Sequence, residues 1–194
     1  MSKPFSDSIL EKIRQQLAVP HIITTNDVFH DVISCIVEQQ IHYRSSKRIF
    51  AKALERSGLE RVSLETFDLF EKHGISQLKL SMSKFETLMA FLDFWRNNTQ
   101  DFSLLTDEEV KTTLSGIKGI GTWTIDMILL YTLQRPNVFP VDDFHVKQVM
   151  ISLYQLHPTQ KLKANMLAIA EQWGHQKSLA TLYLLDWKKQ QKMK

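Results

Sequence analysis

The sequence predicts an all-α protein: about ten helices in two helical lobes with a cleft between them. Apolar residues recur at the spacing of a helix face in one segment after another. Capping residues open several of these segments, and Gly or Pro closes others. No stretch alternates apolar and polar residues over a useful strand length.

The elements follow in order. Residues 6–17 have the cap and spacing of a helix, with Ile9, Ile13 and Leu17 inward. A connection containing Pro20 leads to Asn26 or Asp27, either of which can cap the next helix. That helix carries a broad apolar face of Val28, Phe29, Val32, Ile33, Ile36 and Val37, which means deep burial. Polar and bulky residues from Glu38 to Ser46 interrupt it, as a solvated junction or an edge that faces a partner. The next helix starts at Tyr43, runs to Arg56 and ends near Gly58. Short helices over 63–70 and 73–78 flank a break at Gly74. A core helix follows over 81–97, in which Phe85, Phe91 and Trp95 are expected to pack.

Thr106 is an N-cap, with Glu109 as its capping-box partner, for a helix over 107–114. Gly116 suits a residue leaving that helix at positive φ. Gly119-Ile120-Gly121 can bring bare backbone against another surface. Thr122 opens the next helix, with Ile125, Ile128, Leu129 and Leu133 buried, until Arg135-Pro136-Asn137 ends it. Residues 138–141 form an apolar connector, and Asp142-Asp143 opens a helix with Val146, Val149, Met150 and Leu153 inward. At such a start one acid caps and its neighbour complements the dipole; Asp142 is expected to cap. Helices over 161–173 and 177–189, separated by Gly174, complete the chain, and its basic tail is expected to fray. There is no internal repeat, so 1–194 reads as a single domain of two interwoven lobes.

Composition bounds the function. The chain has 194 residues, 43% of them hydrophobic, enough for a globular core. A net charge of +3 permits nucleic-acid binding without demanding it. Cys35 is the only cysteine, which excludes internal disulfides and a Cys-ligated zinc or iron–sulfur cluster. No apolar run of about 18 residues and no signal peptide is evident, so no membrane is expected and a reducing cytoplasm fits.

The chemistry concentrates in residues 107–146. Two helices flank a turn containing Gly116, Gly119 and Gly121, and the second helix directs its N-terminal N–H groups out of the hairpin. That is an anion site which a phosphate fits. A bare Gly-x-Gly between helices is also an ordinary turn. The longer pattern L-x-G-I-x-G-I-G-x-W-T, followed 20 positions after Trp123 by Asp143, is more specific.

On these residues the sequence resembles the helix-hairpin-helix DNA glycosylase superfamily, in particular its DNA-3-methyladenine glycosylase II branch, from about Val28 to Trp187. The resemblance implies a hairpin over about 107–134 that grips duplex DNA through Gly116, Gly119, Gly121 and Thr122. It implies a monovalent cation, Na or K, on the carbonyls of Ser115, Ile117 and Ile120, with no other cofactor required. Asp143 matches the catalytic carboxylate, and Asp143-Phe144-His145 fits the wider Asp-x-His pattern. Gln40, Ile41 and His42 fall where members fill the gap left by a flipped base. Members that also cut the backbone carry a Schiff-base Lys where this chain has Trp123. An indole cannot serve, so the expectation is a monofunctional enzyme of base excision repair, acting as a monomer in the cytoplasm, or at the nucleoid if bacterial.

The chemistry agrees. Hydrolysis of an N-glycosidic bond passes through an oxocarbenium-like sugar. A carboxylate at ~4 Å and an effective dielectric of ~20 attracts that charge by about 4 kcal/mol, about three decades of rate. It can also orient the attacking water. No general acid for the leaving base stands near the hairpin, and His145 on a helix would point away. The substrate should therefore leave readily, as alkylated purines of the 3-methyladenine type do, and Trp123 can stack on their cationic ring.

The chain departs from the family's pattern at several positions. Lys118 stands where Pro is usual, Ile125 where Ala is usual, Gln176 for an aromatic, Lys177 for Arg and Leu185 for a pocket aromatic. Two other readings are a non-catalytic hairpin module that binds distorted DNA and a glycosylase/lyase using Lys118 or Lys147.

Overall fold

The computed structural model describes residues 4–38, 43–78 and 80–191, with backbone alone for 43–48. Among these residues there are ten α-helices and no strand. They are α1 (Ser8–Gln16), α2 (Val28–Glu38), α3 (Tyr43–Ser57), α4 (Phe67–His73) and α5 (Met82–Arg96). Then come α6 (Asp107–Ser115), α7 (Thr122–Met127), α8 (Phe144–Tyr154), α9 (Leu162–Glu171) and α10 (Lys177–Gln191).

The chain divides into two compact units. One is Thr24–Ile128; the other combines Met1–Ile23 with Leu129–Lys194. In the first, α2 is the central element and packs on α3, α5 and α7. Its Val32, Ile33, Ile36 and Val37 have no solvent exposure, which is what the broad apolar face predicts. Asp27 supplies its cap, accepting from the His30 N–H at 2.9 Å. Trp95 of α5 stacks on Phe102 with ring centroids 5.6 Å apart, and Phe91 is buried. Phe85, expected to pack, is 37% exposed instead. It sits in the first turn of α5, before the buried face set by Leu88, Phe91 and Leu92 begins.

The second unit closes α1 against α8, α9 and α10 around Leu10, Met150, Met166, Tyr183 and Leu184. Asp7 joins them. One of its oxygens caps α1 through the N–H groups of Ile9 and Leu10. The other accepts from the Trp173 indole at 2.9 Å and from the Tyr154 hydroxyl. A carboxylate at 6% exposure is tolerable only when its lone pairs are satisfied in this way. Burial and the adjoining Asp7 push the Tyr154 hydroxyl well above the usual phenol range.

Three local predictions need correction. No helix starts at 63: the Ser63 and Thr66 side chains bond each other's backbone N–H, holding a turn that delays α4 to Phe67. Residues 75–77 make a single 3₁₀ turn rather than a helix over 73–78. Gly116 does not leave α6 at positive φ. It stays helical (φ −68°, ψ −13°), and the reversal comes at Gly119, φ +87°. One feature went unpredicted: α7 widens into a π-helical turn, Ile128–Thr132, where the chain passes between units.

Candidate nucleic-acid interface and catalytic carboxylate

The hairpin is built by its apolar residues. Ile117 and Ile120 are each 5% exposed and pin the loop to the core. Consecutive turns, Ile117 N–H to the Leu114 carbonyl and Ile120 N–H to the Ile117 carbonyl, coil the backbone between them. Upstream, α6 has the predicted capping box in full between Thr106 and Glu109.

The three glycines have three different roles. A Cβ on Gly119 would fall 1.9 Å from the Thr87 hydroxyl oxygen, so this glycine seats the tip of the hairpin against α5. A Cβ on Gly121 would meet nothing within 4 Å; the residue is extended and exposed, its backbone bare to solvent. Gly116 has ordinary helical backbone, and an added Cβ would make only a normal 3.4 Å contact. Of the three, Gly121 fits a close approach by a ligand best.

Directly after Gly121, α7 begins with no side-chain cap, and Thr122 is exposed. Trp123 is half-buried. Lys118 reaches across to α5, its ammonium 2.8 Å from Glu86, which raises its pKa. The carbonyls of Ser115, Ile117 and Ile120 are neutral, hard oxygens of the kind a monovalent cation takes. Among the described residues there is no group of His, Cys, Asp and Glu that could hold a metal.

Asp143 lies in the other unit. A connector brings it there, and Ser178 at the start of α10 anchors that connector. The Ser178 hydroxyl donates to the Arg135 carbonyl and accepts from Val138 N–H at 2.9 Å, while Ser178 N–H donates to the Pro136 carbonyl. The Asp143 N–H then donates to the Pro140 carbonyl. The Asp143 side chain is the N-cap of α8: its Oδ1 accepts from His145 N–H at 2.8 Å and Val146 N–H at 2.9 Å. The carboxylate is half-buried rather than sealed in the core.

Asp142 is not the cap, contrary to expectation. Its position one residue earlier puts it beside Lys163 (2.8 Å) and Lys147 (3.5 Å), and the Lys163 hydrogen bond first of all lowers its pKa. His145 turns toward α10, where Lys188 lies 2.9 Å from Nδ1 and also bonds the His145 carbonyl and Gln148. Nothing in the linear sequence signals Lys163 or Lys188, 21 and 43 positions away from their partners.

Trp173, in the C-terminal pattern, is 2% exposed and bound to Asp7, so its role is structural. Lys177 pairs with Glu171, and Leu185 packs on the core. Gln40, Ile41 and His42 lie outside the described residues.

An all-helical chain with a helix–glycine hairpin–helix element, followed by an aspartate capping the next helix, is the architecture of a class, and comparison with known proteins gives that class. No family model matches the chain. The Bacillus subtilis protein YfjP, provisionally named a DNA-3-methyladenine glycosylase, is 26% identical over 189 residues, 93% of this chain and 66% of its own. DNA-3-methyladenine glycosylase 1 of Schizosaccharomyces pombe is 27% identical over 166 residues, covering 82% of this chain and 71% of the relative. The solved structure of the fission-yeast 3-methyladenine DNA glycosylase Mag1 in complex with abasic DNA superposes with a TM-score of 0.76 at 21% identity, over 95% of this chain and 93% of that one. The chain spans about two thirds of the length of the curated relatives it matches. Its fold is that of the solved DNA glycosylase it superposes on, and its sequence is similar to the named 3-methyladenine DNA glycosylases along most of its length.

Proposed function

We propose that the protein is a monofunctional DNA glycosylase of the DNA-3-methyladenine glycosylase II type. It hydrolyses the N-glycosidic bond of alkylated purines in duplex DNA and leaves an abasic site for base excision repair. The observation that carries this reading is the half-buried Asp143, fixed through one oxygen by two backbone N–H groups at the start of α8. Orientation is thereby set before substrate arrives, as electrostatic stabilisation of a developing oxocarbenium requires. The same carboxylate serves the attacking water.

The remaining roles follow from the hairpin. Gly121 and the N-terminal turn of α7, with Thr122, take a DNA phosphate, while Gly116 and Gly119 shape the loop that presents them. Ser115, Ile117 and Ile120 hold a Na or K ion through their carbonyls. Trp123 stacks on the extruded base, and one of Gln40, Ile41 and His42 fills the space it leaves. The protein acts as a monomer in the cytoplasm or nucleoid. Among the described residues no helix is long and apolar enough to cross a membrane. The monofunctional assignment is supported by Trp123 at the place of the lyase lysine, and by the ion pair of Lys147 with Asp142.

The test is release of free base from duplexes carrying 3-methyladenine or 7-methylguanine. Asp143→Asn is expected to lower the single-turnover rate at least a hundredfold and to leave binding to an abasic-analogue duplex intact. Binding without release by the wild type would leave only the non-catalytic hairpin module, and a borohydride-trapped adduct would establish a lyase.

A further inference from the structure

The hairpin tip places Lys118 between the buried Ile117 and Gly119, and the seat of Gly119 on Thr87 fixes which part of α5 the tip meets. Glu86 is the neighbour of Thr87 and receives the Lys118 ammonium at 2.8 Å. Both side chains are open to water, at 76% and 49% exposure, so the pair is weak and exchangeable. Lys118 is the only Lys or Arg from residue 112 to 134. Lys111, just before, is occupied by Glu108 on the same helix face. A net charge of only +3 supplies little overall attraction for DNA, so a cation at the hairpin counts.

We propose that Lys118 is a DNA-phosphate contact of the hairpin, held in the free protein by Glu86, which competes with DNA for it. On binding, the ammonium leaves Glu86 for a phosphate oxygen. The exchange charges an entry penalty on every sequence alike, because phosphates carry no base information. Glu86 thereby thins the protein's residence on undamaged duplex. This inference rests on the reading of the hairpin as a phosphate clamp.

The experiment measures affinity for a duplex carrying a tetrahydrofuran abasic analogue, and for the same duplex undamaged, across a KCl series. Lys118→Gln is expected to weaken both and to reduce the slope of log K against log [KCl] by about 1. Lys118→Arg should retain the wild-type slope. Glu86→Gln should tighten both duplexes about two- to fivefold, the range an exposed ion pair spans. In Lys118→Gln/Glu86→Gln that gain should vanish, since no ammonium remains to be freed. An unchanged slope in Lys118→Gln, or unchanged affinity in Glu86→Gln, overturns the proposal. Gly121→Asp separates this from failure of the clamp. If it weakens binding while the Lys118 and Glu86 variants do not, only this inference falls. If it binds like wild type, the clamp falls and the inference with it.

Discussion

Asp143 combines two tasks in one side chain, and substitution can separate them. Asparagine is as good an N-cap as aspartate, so Asp143→Asn keeps the bonds from the His145 and Val146 N–H groups while removing the charge. Alanine removes both and should cost about 1 kcal/mol of folding stability in addition. Thermal unfolding of the two variants beside the wild type checks this; an equal loss in both would deny Asp143 its structural task. Gly119 and Gly121 make a second contrast. Gly119→Ala puts a methyl on the Thr87 hydroxyl at a left-handed backbone position, and should destabilise by about 3 kcal/mol or more. Gly121→Ala, extended and facing open space, should melt within about 0.5 kcal/mol of the wild type. Equal melting of the two would refute the distinction. The sequence singled out residues of this region without showing how each is placed. Asp143 stood out by its spacing from Trp123. Which aspartate caps depended on where the connector ends, and that is set by bonds to Ser178, 40 residues away.

Helices were legible where their own side chains determine them. The capping box of α6 needs only Thr106 and Glu109, so its start was readable. Thr106→Ala should reduce stability by about 1 kcal/mol, measured by denaturant unfolding, with the larger effect on protection of α6 amides against exchange. A loss spread evenly over all helices would contradict that. Illegible elements are those in which a neighbour competes with the local preference. At 63–66 side chains take over the backbone N–H groups that a helix would use. The positive φ moved from Gly116 to Gly119 because two short backbone turns, anchored by Ile117 and Ile120, continue the coil past the end of α6. The π turn after α7 has no composition of its own; its five residues, Ile-Leu-Leu-Tyr-Thr, would suit an ordinary helix equally well.

Over the whole molecule, pH acts through a buried imidazole. His30 of α2 is 7% exposed, and its Nδ1 accepts the Val62 N–H at 3.1 Å. Burial pushes its pKa below the ordinary value, with Arg61 adding to the effect while Asp31 and Asp27 oppose it. The unfolded chain therefore takes up this proton first, at about pH 6.5. Stability contributed by neutral His30 is present above that pH, is lost as pH falls, and stops falling once the native imidazole protonates. Further down, Glu11 acts through its bond to Arg14. Its pKa is lowered to about 2, so its stabilisation is present above the ordinary carboxylate range and fades toward that value. The melting temperature should thus drop between pH 7.5 and 5.5, and His30→Gln should flatten the drop, since an amide can still accept from Val62. A slope unchanged in the variant would assign the effect elsewhere. Of the global arrangement, the helical class was readable from periodicity, while the two lobes were expected with no boundary between them in the sequence. That one part recruits the first 23 residues was not readable, because no local pattern tells α1 that its partners lie beyond residue 129.

That recruitment bears on how the protein is made. On the ribosome α1 emerges well before its partners, since the indole and the phenol that bind Asp7 belong to Trp173 and Tyr154. Thr24–Ile128 is synthesised in full long before then and has its own core to collapse around. Throughout that interval Leu10 and Ile13 lack the companions that later shelter them, so an amphipathic segment stays undocked on the nascent chain. Translation halted before residue 173 would release a polypeptide with α1 undocked, a form that chaperones and proteases are suited to recognise.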